Sequence, residues 1–84
     1  MKEIDMSQLL MWKESLGRFR FQTTNSKLAR QMRGRKTFNL TAYSTNENFW
    51  VFTVDLPSTN DALKRYKSLT KRKAKYDSKE EIYY

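Results

Sequence analysis

The sequence has no cysteine and no histidine, and these two absences remove several kinds of site at once. Disulfide bonds cannot form, and zinc sites built from cysteine and histidine are excluded. The commonest general base and the thiol nucleophile of enzymes are missing as well. The absence of cysteine fits a reducing compartment, and we expect a cytoplasmic protein.

Glycine and long apolar runs are also scarce. The only two glycines, Gly17 and Gly34, cannot form a glycine-rich phosphate-binding loop. No apolar run approaches the roughly 20 residues that a transmembrane helix needs. The carboxylates are few and scattered along the chain. We therefore expect a protein that is not an enzyme, that has no cofactor or metal ion, and that does not bind a membrane.

The chain has 84 residues, enough for one domain with a thin hydrophobic core. Because no disulfide can support that core, it must depend on the five Phe, five Tyr and two Trp. We expect a single α+β domain over residues 1–76 and a C-terminal tail over residues 77–84. The tail is either loose or folds back onto basic residues.

The net charge of +8 is distributed unevenly along the sequence. Residues 18–36 contain seven basic and no acidic residues, and residues 64–84 contain eight basic and three acidic residues. Residues 37–63, between them, contain three acidic and no basic residues. A uniformly solvated surface does not usually separate charge in this way, so the basic blocks indicate a binding face.

The first block has the spacing of a helix over residues 6–16. Leu9, Trp12 and Leu16 recur at helical intervals, and Asp5 is suited to cap the N-terminus. Gly17 would then end the helix with a positive φ. Residues 18–23 follow, with arginine and phenylalanine alternating over residues 18–21, and this pattern predicts a half-buried strand.

The connector between this strand and the next is basic and has two interpretations. Asn25 or Ser26 could cap a short helix over residues 27–33 that ends at Gly34, or the segment could be a mobile basic loop. Residues 37–43 and 49–56 then predict two further strands, joined by a polar turn suited to a hairpin.

The last predicted element is a long basic helix. Pro57 ends the third strand, Ser58 is a good N-cap, and Asp61 favours the positive end of the helix dipole. The apolar spacing continues to Tyr76, so we expect a helix over residues 58–76. Residues 64–76 contain seven basic and no acidic residues, and such a helix gives up the opposite-charge pairs that usually stabilise exposed helices.

These elements predict an α+β fold of the order α-β-β-β-α. We expect a three-stranded antiparallel sheet with the N-terminal and C-terminal helices packed on one face. The open face would carry Arg18, Arg20, Gln22, Asn39, Thr41, Tyr43, Phe49 and Thr53.

Nucleic acid is the partner that this charge pattern favours most. Arginines beside aromatic rings on the open face could contact bases, while the connector and the final helix grip phosphates. The candidate nucleic-acid-binding residues are Arg18, Arg20, Lys27, Arg30, Arg33, Arg35, Lys36, Tyr43, Lys64, Arg65, Lys67, Lys71, Arg72, Lys73 and Lys75.

Protein binding is the alternative interpretation. A small basic domain could act as an inhibitor or regulator, of the kind common in phages and mobile elements, by docking on an acidic partner. The sequence leaves open DNA against RNA, single against double strands, and the oligomeric state.

Overall fold

A computed structural model describes residues 9–44 and 46–84. It contains six strands and two helices in the order β-β-α-β-β-α-β-β. Their bounds are β1 Leu10–Ser15, β2 Arg18–Thr23, α1 Ser26–Arg33, β3 Asn39–Ser44, β4 Phe49–Asp55, α2 Thr59–Thr70, β5 Tyr76–Asp77 and β6 Ile82–Tyr83.

The strands form one antiparallel sheet in the order β3-β4-β2-β1-β6-β5. The predicted three-stranded sheet with an N-terminal and a C-terminal helix is therefore wrong, although the fold is α+β. The three predicted strands lie close to where the alternation placed them, as β2, β3 and β4. The missing half of the sheet comes from the two ends of the described chain.

The predicted helix over residues 6–16 is the largest error, because residues 10–15 form strand β1. Residues 6–8 and the expected cap Asp5 lie outside the described residues. Leu9 and Met11 are fully buried, whereas Leu16 is 90% exposed, so no helical apolar stripe exists. Gly17 does have a positive φ of 77°, but it serves the two-residue turn between β1 and β2.

A bulge in β3 changes which face its residues occupy. Leu40 pairs with Phe52, and Ala42 then pairs with Val51, so one residue of β3 is extra. After the bulge, Tyr43 pairs with Trp50 and lies on the face that the helices cover. The sequence placed Tyr43 on the open face, because strict alternation cannot anticipate an inserted residue.

The two helices begin where the sequence predicts. The Asn25 side chain accepts hydrogen bonds from the backbone N–H groups of Lys27 and Leu28, so the connector is a capped helix and not a loop. The Ser58 hydroxyl accepts from the N–H of Asp61 and donates to its carboxylate. Both contacts satisfy backbone groups that a helix N-terminus leaves unpaired.

The second helix is shorter than predicted. It ends at Thr70, since Lys71 adopts a left-handed conformation with φ 65°. The Thr70 hydroxyl caps this end by donating to the Tyr66 carbonyl and accepting from the N–H of Arg72. Residues 71–75 therefore lie beyond the helix and lead the chain to the sheet.

The C-terminal residues are part of the sheet. Strands β5 and β6 form a hairpin, and Tyr83 of β6 pairs with Met11 of β1. Lys75 and Tyr84 exchange two backbone hydrogen bonds of 2.6 and 2.8 Å. Residues 77–84, which the sequence separated from the domain as a tail, thus cover the free edge of β1.

One hydrophobic core lies between the sheet and the helices. The side chains of Leu28, Ala29 and Met32 in α1 and of Ala62, Tyr66 and Leu69 in α2 join the same cluster as the sheet residues. Phe38 packs edge-on against Phe21 and Phe52, with ring centroids 5.1 and 6.4 Å apart. Both helices therefore cover one face of the sheet, and their polar sides face solvent.

Candidate functional site

The solvent side of α1 carries three cations. Lys27, Arg30 and Arg33 are spaced three residues apart and are all exposed. They are exposed because the opposite side of the helix, with Leu28, Ala29 and Met32, is buried in the core. The short helix that the sequence predicted as one of two alternatives is present, and it exposes these three cations.

The solvent side of α2 is basic as well. Lys64, Arg65 and Lys67 are exposed, and the helix buries Ala62, Tyr66 and Leu69 on its other side. Lys64 and Lys67 line a surface groove of about 340 Å³ together with Lys73 from the segment after the helix. Asn60, Leu63 and Ala74 complete the groove, so three lysines border a partly apolar depression.

A hydrogen bond joins the two basic helices. Arg35, just after α1, donates from Nη2 to the Ser68 hydroxyl of α2 at 3.2 Å. We name the surface that results the basic helical surface. It consists of Lys27, Arg30, Arg33, Arg35, Lys64, Arg65, Lys67 and Lys73.

The other predicted binding residues near the two helices, which are Lys36, Lys71, Arg72 and Lys75, lie outside the basic helical surface. Lys36 is exposed in the turn after α1, and Lys71 and Lys75 are exposed beyond the end of α2. Arg72 is half-buried. Its guanidinium carbon lies 5.7 Å from the centre of the Tyr66 ring, and its Nη2 donates to the Tyr66 hydroxyl. Arg72 therefore packs against α2 as part of the fold.

The basic helical surface and the open face of the sheet differ in ion pairing. Over residues 9–44 and 46–84, the ion pairs involve only Arg18 with Asp55 and Arg20 with Glu14. Every cation of the basic helical surface lacks a carboxylate partner within that part of the chain. Its positive charge is thus uncompensated by the described residues, whereas the open-face arginines are neutralised locally.

The two open-face arginines are held by good geometry. Arg20 donates from Nε and Nη2 to the two carboxylate oxygens of Glu14 at 2.9 and 3.0 Å. These hydrogen bonds hold the pKa of Glu14 below its ordinary value. The Nε of Arg18 lies 2.9 Å from Oδ1 of Asp55, and this hydrogen bond raises the pKa of Arg18.

Two aromatic residues lie opposite each other on β4 and β3. Trp50 of β4 is half-buried and packs against the core, and its cross-strand neighbour Tyr43 is 62% exposed. Trp50 also lines a groove of about 270 Å³ with Ser26, Ala29, Arg30 and Arg33 of α1. Two arginines and an indole ring therefore meet at one depression.

Two further classes of site are not found in the described residues. No three carboxylate, cysteine or histidine side chains lie close enough together there to hold a metal ion. Neither described helix has the length and apolar character required to cross a bilayer.

Trp50 and Ser26 are the site residues that sequence reasoning missed. The alternation assigned Trp50 to the core. The residue does pack against the core, but it is only partly buried. The available signal was its position at the start of a strand, beside a polar turn, where covering elements commonly end. Ser26 was considered only as a helix cap.

No family model matches the chain, and no curated protein or solved structure matches it either.

Proposed function

We propose that this protein binds nucleic acid, without catalysis, through the basic helical surface. The observation that carries the proposal is the set of exposed cations on α1 and α2 that have no carboxylate partner within residues 9–44 and 46–84. Keeping like charges together without internal partners costs stability through repulsion, and a polyanion relieves that repulsion.

The convergence of the lysines is the second support. Lys64, Lys67 and Lys73 line one groove although Lys73 lies outside the helix. Three lysines at one depression suit contacts with neighbouring phosphates of a backbone, and each phosphate contact releases a counterion. We assign no phosphate contact to Arg18 or Arg20, because a bound phosphate would have to displace a carboxylate from each.

A cytoplasmic location belongs to the same proposal. It depends on the sequence alone, which has no cysteine.

The test is fluorescence anisotropy with labelled duplex DNA, single-stranded DNA and duplex RNA, each across a salt series. The double variant Lys64→Ala, Lys67→Ala should bind every nucleic acid more weakly. For duplex DNA, its plot of log K against log salt should be shallower than that of the unmodified protein by about 2.

The matched control removes the same charge from another part of the surface. Lys13 borders a groove on the open face beside Glu80 and Glu81, and Lys79 lies in the turn between β5 and β6. Lys13→Ala, Lys79→Ala should leave the salt slope unchanged. Equal losses in both double variants would mean that net charge alone drives binding. Absence of binding at physiological salt would overturn the proposal and favour an acidic protein partner.

A further inference from the structure

The groove between α1 and β4 has a composition unlike the rest of the basic helical surface. Among the described residues, the lysine groove beside α2 has no aromatic lining, whereas this groove has Trp50 as one wall and Arg30 and Arg33 as another. Ser26, Arg30 and Arg33 are four and three residues apart, so they form one stripe of α1 that faces Trp50. Small side chains at Ser26 and Ala29 leave the space open.

The position of Trp50 within β4 explains why it is only half-buried. Phe52 and Val54, on the same face of β4, are fully buried under the helices. Trp50 lies at the start of this row, where it lines the groove beside α1, and it is only half-buried against the core. The remaining aromatic surface faces the groove.

Tyr43 extends this aromatic surface toward the sheet edge. It pairs directly with Trp50, and paired residues of antiparallel strands hold their Cβ atoms about 5 Å apart. The β3 bulge brings Tyr43 to this face, although no core contact requires the ring there. Single-stranded nucleic acid binds this combination of a half-buried indole, an exposed tyrosine and two arginines that have no ion-pair partner among the described residues, with bases stacked on the rings and phosphates held by arginine.

We propose that the groove formed by Ser26, Arg30, Arg33 and Trp50, together with Tyr43, holds an unpaired base of single-stranded nucleic acid. This inference rests on the proposed function and specifies the form of its ligand. A duplex could contact the arginines through its phosphates, but its bases stay stacked within the helix and cannot reach the aromatic pair.

The direct test follows the fluorescence of Trp50. Trp12 lies in a separate groove on the open face, so the variant Trp12→Phe leaves Trp50 as the reporter. Short oligothymidylate and oligouridylate, added in turn, should quench this emission, and a mixed-sequence duplex DNA should leave it almost unchanged. Quenching by either single strand supports the inference and names the polymer preferred.

A substitution separates stacking from charge. Tyr43→Ser should weaken single-strand binding about 5- to 100-fold while leaving the salt slope and duplex binding unchanged. Tyr76→Ser is the matched control, because Tyr76 is an exposed tyrosine on β5 at the opposite edge of the sheet. Circular dichroism melting of both variants verifies that each is folded.

The outcomes distinguish the inference from the proposed function. If duplex and single strands bind equally, Trp50 emission stays constant and Tyr43→Ser has no effect, the inference is wrong and the proposed function survives. If neither single strands nor duplexes bind, both are wrong. If Tyr76→Ser weakens binding as much as Tyr43→Ser, the aromatic pair is not the binding site.

Discussion

At the scale of single residues, Tyr66 connects α2 to two other parts of the chain. Its ring is fully buried, and its hydroxyl donates to the Leu9 carbonyl at 2.8 Å. The same hydroxyl accepts from Arg72, whose guanidinium covers the ring. One residue thus holds together the start of β1, the helix and the segment beyond it.

Replacing Tyr66 with Phe should lower the free energy of unfolding by about 1 kcal/mol near neutral pH, because the Leu9 carbonyl loses its donor in a buried place. Burial raises the pKa of the Tyr66 hydroxyl, since the phenolate is poorly solvated there. The stability that comes from keeping the buried Tyr66 hydroxyl protonated is complete below the unfolded tyrosine pKa of about 10. It is lost as the pH rises through the pKa of the folded state. Urea denaturation across the alkaline range measures both effects.

Tyr43→Phe is the control for this experiment, as Tyr43 is exposed. The alkaline loss of stability should be smaller in Tyr66→Phe than in the unmodified protein and should be unchanged in Tyr43→Phe. Identical alkaline profiles for all three proteins would show that Tyr66 ionises as freely in the folded state as in the unfolded chain.

Among the contacts of single residues, the helix caps could be predicted from the sequence. Asn25 and Ser58 act on N–H groups two or three positions away, so the local sequence contains the whole interaction. The partners of Arg18 and Arg20 could not be predicted in the same way. Arg18 pairs with Asp55, which is 37 residues distant and becomes its neighbour only through the pairing of β2 with β4.

At the scale of elements, β1 shows how tertiary pairing overrides local periodicity. Leu9, Trp12 and Leu16 match a helix, yet Leu9 and Met11 are the buried pair. Strand β2 is apolar on one face and needs a hydrogen-bonded neighbour on each side within the sheet. Pairing with β1 supplies hydrogen-bond partners for one edge of β2. The free energy of this pairing depends on β2, which lies outside the segment predicted to be a helix.

The end of α2 provides a test at the same scale. Lys71 has φ 65°, a conformation that costs a residue with a Cβ about 1 kcal/mol relative to glycine. Lys71→Gly should therefore raise the free energy of unfolding by about 0.5–1 kcal/mol, as measured by urea denaturation.

Lys73→Gly is the matched control, because it removes the same charge at a position without a positive φ. We expect no stabilisation there, since glycine gains nothing at an ordinary φ and increases the entropy of the unfolded chain. A gain of similar size in both variants would assign the effect to the lost charge instead of the backbone conformation.

At the scale of the whole molecule, the C-terminal hairpin completes the sheet. Without β6, the backbone groups of β1 would form an exposed edge beside the fully buried Met11. Tyr83 packs against the core and its ring lies 4.6 Å from that of Tyr76. The hairpin thus contributes both backbone pairing and apolar cover.

Deleting residues 76–84 should lower the free energy of unfolding by about 1–3 kcal/mol and promote association through the uncovered strand. Thermal denaturation and light scattering measure the two effects. Tyr83→Ala should reproduce part of the loss within the full-length chain, whereas Ser78→Ala in the exposed turn should be neutral. If the truncated protein is as stable as the full chain, the hairpin adds nothing to the fold.

Composition and the spacing of residues a few positions apart were sufficient to predict part of this structure from the sequence. It excluded disulfides and cysteine–histidine metal sites, separated the charge into blocks, and predicted the strands β2, β3 and β4 and the starts of both helices. Alternation and capping are local, so these features did not require a structure.

Tertiary structure alone decided which edges of the sheet were filled and which charges were neutralised. It made β1 and the C-terminal hairpin into strands, inserted the bulge that moves Tyr43, and paired Arg18 and Arg20 with carboxylates. It also brought Trp50 beside Arg30. Each of these outcomes depends on contacts between residues distant in the chain, and the free energy of such contacts cannot be assigned before the partners are known.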